Sequence, residues 1–136
     1  MADRLTLEIA TPMRMVVAET VDQIVLPGSE GSFGVLPGHA PFLTTLGIGE
    51  GTYLVGREER RLAIVGGFAE VRNDKVIVLA DSAERPDEID RARAARARER
   101  AERRLGGRSQ EDVDYTRALA SLTRALLRLQ MAGGDR

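Results

Sequence analysis

Four arginines on two predicted helices are the residues whose type and spacing best fit a chemical task. Arg93 and Arg100 are seven positions apart, and Arg124 and Arg128 are four apart, so each pair shares one face of its helix. Guanidinium groups are planar, permanently charged forks that suit phosphate oxygens. All four can converge on one polyanion if the two faces meet. The alternative is an ordinary solvated helix surface, on which Arg/Glu pairs at i,i+4 only support the helices.

The rest of the residue inventory argues against catalysis. The chain has no Cys and a single His, His39, which excludes disulfides, thiol chemistry and Cys/His zinc sites. Lys75 is the only lysine, and no phosphate-binding loop precedes it. A Ser-His-acid triad would need His39, but Gly38-His39-Ala40-Pro41 is typical of a loop. We therefore expect a protein that is not an enzyme and that holds no metal and needs no cofactor.

Charge and composition exclude two further classes of protein. In 136 residues, 20 Lys+Arg balance 21 Asp+Glu, and there are only five Phe or Tyr and no Trp. A nucleic-acid binder usually shows a basic face and stacking rings, so no nucleic-acid partner is expected. No segment approaches the roughly 20 apolar residues that cross a bilayer, and charged residues in the first ten positions argue against a signal peptide.

The composition changes abruptly after Glu84. Residues 1–84 carry seven cations against 12 acids and hold most of the Gly and Pro, whereas residues 85–136 carry 13 cations against nine acids and are rich in Ala, Arg and Leu. Such a shift predicts a boundary between two domains, 1–84 and 85–136.

The first domain shows short runs of strand-forming residues. They are the alternating Leu5, Leu7 and Ile9, and the runs 21–26, 42–46, 52–55, 62–65, 68–71 and 76–79. Strands this close leave no room for crossover helices, so they predict an antiparallel β-sandwich, with Asn73-Asp74 closing a hairpin between the last two runs.

The second domain has helical periodicity. Asp87 is the predicted N-cap of a first helix that ends near Leu105, before Gly106-Gly107. Ser109-x-x-Asp112 predicts the start of a second helix that ends near Met131. The short connection predicts an antiparallel hairpin.

Apolar spacing predicts how the two helices pack. The second helix carries a coiled-coil-like stripe, and the first presents mostly small residues. The stripe is Tyr115, Leu119, Leu122, Leu126 and Leu129, and it would face Ile89, Ala94, Ala97, Ala101 and Leu105. Because the contact between this stripe and such small residues buries little apolar area, the hairpin is predicted to be marginally stable.

Residues 26–41 form a predicted loop that is rich in Pro and Gly and is too apolar for an ordinary flexible linker. It is either a rigid pair of turns or a preformed docking surface, with Glu30 and His39 at the rim and Phe33 as an anchor.

Five motifs in this order and spacing resemble the epsilon subunit of bacterial F-type ATP synthase. They are Pro-Gly-Ser-Glu-Gly (27–31), Gly-Val-Leu-Pro-Gly-His-Ala-Pro (34–41), Gly-Gly-Phe-Ala-Glu-Val (66–71), Val-Ile-Val-Leu-Ala-Asp (76–81) and Ile-Asp-x-x-Arg-Ala (89–94). The resemblance implies a sandwich of about ten strands, followed by the helical hairpin. It also implies a non-catalytic rotor subunit at the cytoplasmic face of the bacterial cell membrane, peripheral and attached through its complex.

The same resemblance implies partners. The sandwich would bind the gamma subunit and the membrane c-ring. The hairpin would fold or extend, contacting the alpha and beta subunits and inhibiting ATP hydrolysis when extended. The c-ring contact is implied for Gly28, Ser29, Glu30, Gly31, Ser32, Phe33 and His39. Relatives often carry an acid where this chain has Ser32, so the acidic contact would rest on Glu30.

Regulatory ATP binding to the folded hairpin is the last implication of the resemblance. Phosphate contacts would come from Arg93, Arg100, Arg124 and Arg128, and base contacts from Glu84, Asp90 and the surface of Ala94. An ATP-binding sensor or adaptor that acts alone remains the alternative; it would use the same arginines but would not need the apolar loop.

Overall fold

The computed structural model describes residues 3–106 and 113–133. The chain divides into two compact units, the sandwich unit up to Arg85 and the hairpin unit from Pro86 onward.

The sandwich unit contains eight strands. They are β1 Leu5–Ala10, β2 Met15–Val21, β3 Gln23–Gly28, β4 Gly31–Val35, β5 Phe42–Thr45, β6 Ile48–Val55, β7 Glu58–Arg72 and β8 Lys75–Glu84. Their order is β2-β1-β8-β7-β6-β3-β4, with β5 paired to β7. Alternate residues point inward along each strand, so that Leu5, Leu7 and Ile9 of β1 are buried with Ile64 of β7 and Val78 of β8. The predicted sandwich is confirmed.

The longest strand, β7, accounts for one strand of the difference between the eight observed and the roughly ten that the family resemblance implies. Two predicted strands, 62–65 and 68–71, are joined through Gly66 and Gly67. Before the glycines β7 pairs with β6, and after them with β5. Gly66 has φ 62° and Gly67 has φ 107°, and their backbones bond to Gly47 and Leu46 at the corner between β5 and β6. The glycines therefore let one strand serve two neighbours.

Not every strand pair is antiparallel, contrary to prediction. β1 pairs with β8 in parallel, with Thr6 opposite Lys75 and Ala10 opposite Leu79. The chain between them is long enough to return to the same end of the sheet, which a parallel pair requires. The predicted hairpin at Asn73-Asp74 is confirmed: both residues have positive φ, as a two-residue type I′ turn needs.

Two segments of the sandwich unit differ from their prediction. The run 21–26 is broken at Asp22, whose carboxylate accepts hydrogen bonds from Arg4 Nε at 3.0 Å and from the Gly56 backbone N–H at 2.6 Å. These bonds lower the pKa of Asp22, with the Gly56 bond the largest cause. The predicted loop 26–41 contains the strand β4, which pairs with β3.

The hairpin unit begins with one 3-10 turn, Pro86–Glu88, followed by the helices α1 Arg91–Leu105 and α2 Val113–Met131. The N-cap of α1 is Asp90, not the predicted Asp87, because the Asp90 carboxylate accepts the Arg93 backbone N–H at 3.0 Å. Gly106 caps the other end, as predicted. The predicted capping box at Ser109 and Asp112 lies outside the described residues.

The two helices are antiparallel, as predicted, but the seam between them is not the leucine stripe. The Gly133 N–H donates to the Pro86 carbonyl at 3.4 Å, so the end of α2 returns to the start of the unit. The buried residues are Ala94 and Ala101 on α1 and Ala118 and Ala125 on α2, each pair seven apart, whereas Leu119 and Leu126 are 45% and 46% exposed. The register set by Gly133 and Pro86 places Ala94 opposite Ala125, and Ala101 opposite Ala118. Small residues on both helices let the backbones approach closely, which leucines would prevent.

Candidate functional site

The four buried alanines, Ala94, Ala101, Ala118 and Ala125, form what we call the alanine axis, and they divide the hairpin surface into two unlike faces. In an antiparallel pair, the residues just before the axis alanines lie on one side of the seam, and those just after them lie on the other. The first side carries the arginine face: Arg93, Arg100, Arg117, Arg124 and Arg128. The second side carries the leucine face: Tyr115, Leu119, Leu122, Leu126 and Leu129.

The register places the four arginines proposed for phosphate on the same side of the seam. Arg93 precedes Ala94 and Arg124 precedes Ala125, so these two cations lie across the seam from each other at one level. Arg93 and Arg100 are exposed, and Arg124 and Arg128 are half-buried. Arg124 Nη2 donates to Ser121 Oγ at 3.0 Å, which holds its guanidinium against its own helix. Arg117 belongs to the same face and was not included among the predicted site residues, although its place seven positions before Arg124 is visible in the sequence.

The three residues predicted for the adenine base are placed differently. The Asp90 carboxylate is engaged as the N-cap of α1. Ala94 is 3% exposed on the alanine axis, so its side chain offers little surface to a ligand. Glu84 is the last residue of β8 and belongs to the sandwich unit. The arginines therefore remain the stronger part of the candidate site.

The tip of the β3–β4 hairpin, Gly28 to Gly31, is tightly built. A side chain at Gly28 would meet the Gly31 carbonyl oxygen at 2.6 Å. Ser29 bonds to Thr45 through its backbone N–H, at 3.1 Å, and through its hydroxyl, at 2.6 Å. Glu30 stands exposed at the tip, beside the exposed Gly31 and Ser32. The tip can therefore present one carboxylate on a rigid support.

Three rings connect this tip to the loop that follows it. Phe33 and Phe42 meet edge to face with ring centroids 5.4 Å apart, and the His39 and Phe42 centroids are 5.9 Å apart. The loop is also tied to the β7–β8 turn, because the Gly38 N–H donates to Asp74 Oδ1 at 2.7 Å. Phe33 is half-buried against the core, so it supports the tip from beneath and does not project as an anchor.

An exposed apolar feature of the sandwich unit was missed from the sequence. Phe68 on β7 lies opposite Leu79 on β8, Leu79 lies opposite Ala10 on β1, and Ala10 lies opposite Met15 on β2. We call these four residues the apolar row. Phe68, Leu79 and Met15 are each more than half exposed. Single exposed apolar residues are ordinary, but a row across four strands is typical of a protein contact.

Within residues 3–106 and 113–133, no cluster of His, Asp and Glu could hold a metal ion. No described helix is long and apolar enough to cross a membrane.

Two family models together cover almost the whole chain. Residues 4–86 match the model described as ATP synthase, Delta/Epsilon chain, beta-sandwich domain, and residues 87–133 match the corresponding long alpha-helix domain. The chain belongs to the ATP synthase epsilon-chain family. It is therefore an epsilon subunit of an ATP synthase.

Individual relatives agree with this assignment. The ATP synthase epsilon chain of Syntrophobacter fumaroxidans is 52% identical over 97% of this chain and 98% of its own length. That of Geobacter metallireducens is 50% identical over 98% and 96%. Among solved structures, a chain of the Euglena gracilis mitochondrial ATP synthase superposes with a TM-score of 0.79 at 24% identity, covering 93% of this chain and 79% of its own. At that identity the likeness shows the fold alone.

Proposed function

We propose that this epsilon subunit is a non-catalytic rotor component that couples the c-ring to the catalytic head through gamma. The apolar row is the observation that carries the proposal. It lies on the sandwich unit, in the part of the chain for which the family resemblance implies gamma binding, and it is the kind of surface that a partner must cover. The row is proposed as the gamma contact.

Replacing Phe68 and Leu79 together by serine should weaken gamma binding at least about tenfold, because central apolar side chains carry most of the free energy of an interface. The measurement is the Kd of the full-length chain for the purified gamma subunit. Leu36→Ser is the matched control, since Leu36 is 57% exposed on the same unit but outside the row. Equal affinities for the double variant and the control would refute the row as the gamma contact.

The β3–β4 tip is proposed as the c-ring contact. Glu30 is exposed on a turn held by Ser29, so its carboxylate suits a cationic loop of the ring, and His39 and Phe33 stiffen the turn from behind. With Ser32 beside it in place of an acid, Glu30 carries the charge of this contact alone.

The arginine face is proposed to bind ATP as a regulatory ligand, without hydrolysing it. Arg93 and Arg124 lie across the seam at one level, with Arg100 and Arg128 on the same side, so both helices contribute to one cationic surface. A ligand that needs both helices binds only the folded hairpin and stabilises it by RT ln(1 + [L]/Kd). Millimolar ATP then holds the hairpin folded, and falling ATP releases it.

Replacing Arg93 or Arg124 by alanine should weaken ATP binding about tenfold or more, as expected for the loss of a charged hydrogen bond worth ~1.5 to 3 kcal/mol. Calorimetric titration of the full chain with ATP measures this. Arg98→Ala is the control, because Arg98 lies four positions after Ala94, on the other side of the seam. Absence of heat and of any thermal shift with wild-type protein at millimolar ATP would remove the regulatory site from the proposal.

The extended hairpin is proposed to inhibit ATP hydrolysis by meeting acidic surface on the alpha and beta subunits. The segment after Glu84 has 13 cations against nine acids, which supports an electrostatic contact of this kind. An ATP-binding sensor that acts alone would bind ATP in the same titration but would not bind gamma, so the two measurements above separate the functions.

A further inference from the structure

Two consecutive residues at the boundary between the units, Arg85 and Pro86, make hydrogen bonds to different units. The Arg85 side chain is bonded within the sandwich unit: its Nη2 donates to the Val16 carbonyl at 3.2 Å and its Nη1 to the Tyr53 hydroxyl at 3.3 Å. The Pro86 carbonyl is bonded within the hairpin unit, where it accepts the N–H groups of Ile89 and Gly133, each at 3.4 Å.

Tyr53, which accepts a hydrogen bond from Arg85, is itself held firmly in the sandwich unit. Tyr53 is 1% exposed on β6, and its hydroxyl donates to Glu19 Oε2 at 2.9 Å. Burial is the largest cause that raises the pKa of Tyr53, so the hydroxyl keeps its proton. Arg85 thus reaches two strands at once, β2 through Val16 and β6 through Tyr53. A guanidinium fork can make both contacts, whereas one ammonium group cannot do so with the same geometry.

We propose that Arg85 anchors the end of the sandwich unit, so that the hinge between the two units is confined to the Arg85–Pro86 junction. The proline ring fixes φ of Pro86, and proline also restricts the backbone of the residue before it. Few dihedral angles are then left for any movement of the hairpin unit relative to the sandwich unit. Release of the Arg85 side chain would free the backbone of Arg85, while Glu84 stays paired with Ala63 in the sheet. The linker would then lengthen by this residue and become more flexible.

A test of this hinge needs no ligand or partner, so it can be made on the isolated full chain. The chain has no Cys, so Arg57→Cys and Arg103→Cys provide two unique sites for fluorescent labels, one exposed on each unit. Single-molecule energy transfer between the labels then measures the distribution of distances between the units.

In this doubly labelled background, Arg85→Gln should broaden the distance distribution, while the thermal unfolding of the sandwich unit stays close to that of the parent protein. Tyr53→Phe should broaden it less, because the ring and the Val16 contact remain, and Arg85→Lys should fall between wild type and Arg85→Gln. Arg91→Gln is the matched control, since it removes an exposed cation six positions further along the chain, on α1, and should leave the distribution unchanged.

A distribution for Arg85→Gln that equals that of the Arg91→Gln control would overturn the anchor. If Arg85→Gln does not fold, Tyr53→Phe decides the question, and a distribution equal to wild type would then overturn it. Broadening by Arg91→Gln to the same extent would also overturn it, because the effect would then follow from loss of any nearby cation.

Discussion

Gly67→Ala is expected to destabilise the sandwich unit by at least about 3 kcal/mol, roughly a hundredfold in the folding equilibrium. Gly67 has φ 107°, a conformation that residues with a side chain rarely adopt. A Cβ placed there would lie 2.0 Å from the backbone carbonyl oxygen of Leu79 on the paired strand. Neither atom can move without breaking the pairing of β7 with β8. Chemical denaturation of the full chain measures the loss.

Gly56→Ala is the control for this experiment. Gly56 also has a positive φ, 64°, but no atom lies within 4 Å of the position that its Cβ would take. Its substitution therefore measures the cost of the backbone conformation alone, about 1 kcal/mol. If the two alanine variants are equally stable, the close approach of β8 to Gly67 does not govern the stability of the sandwich.

Ala101→Leu is expected to destabilise the hairpin unit by about 1–3 kcal/mol, which is a large share of the stability of so small a unit. Ala101 is 1% exposed and lies opposite Ala118, which is 0% exposed, so a leucine on this axis would push the two helices apart. Both described α-helices belong to the hairpin unit, so thermal melting followed by circular dichroism at the helical band reports on it. The double variant Ala101→Leu/Ala118→Leu should lose more helical signal than the single one.

The matched control is Ala92→Leu, because Ala92 is exposed on the same helix and a leucine there has room. The control should melt at or near the wild-type temperature, since alanine and leucine differ little in helix propensity. An Ala101→Leu variant as stable as the control would show that the alanine axis is not closely packed.

Local chemistry allowed much of the fold to be predicted. The Asn73-Asp74 turn, the end of α1 at Leu105 and the end of α2 at Met131 follow from residues within one or two turns of the feature itself. The sandwich and the antiparallel helices were predicted for the same reason, because periodicity and the short connections between elements can be read along the chain.

The candidate site was predictable only in part. Helical spacing places Arg93 with Arg100, and Arg124 with Arg128, on shared faces. Which faces meet depends on the residues that pack between the helices. The spacing led to a wrong prediction of these residues, because the leucine stripe and the alanine axis both have a heptad-like period. Periodicity shows that a face is apolar but not how closely the helices approach, and close approach favours Ala101 and Ala118 over leucine.

The sequence by itself determined the Asn73-Asp74 turn and the C-terminal ends of the two helices, because each depends on the conformational preferences of neighbouring residues. Only the tertiary structure decided the parallel pairing of β1 with β8, the apolar row and the hydrogen bonds of the Arg85 side chain. In each of these, residues far apart in the chain come together: Ala10 reaches Leu79, and Arg85 reaches Val16 and Tyr53. Such contacts are selected by the packing of the whole sandwich, and no local pattern of residue types specifies them.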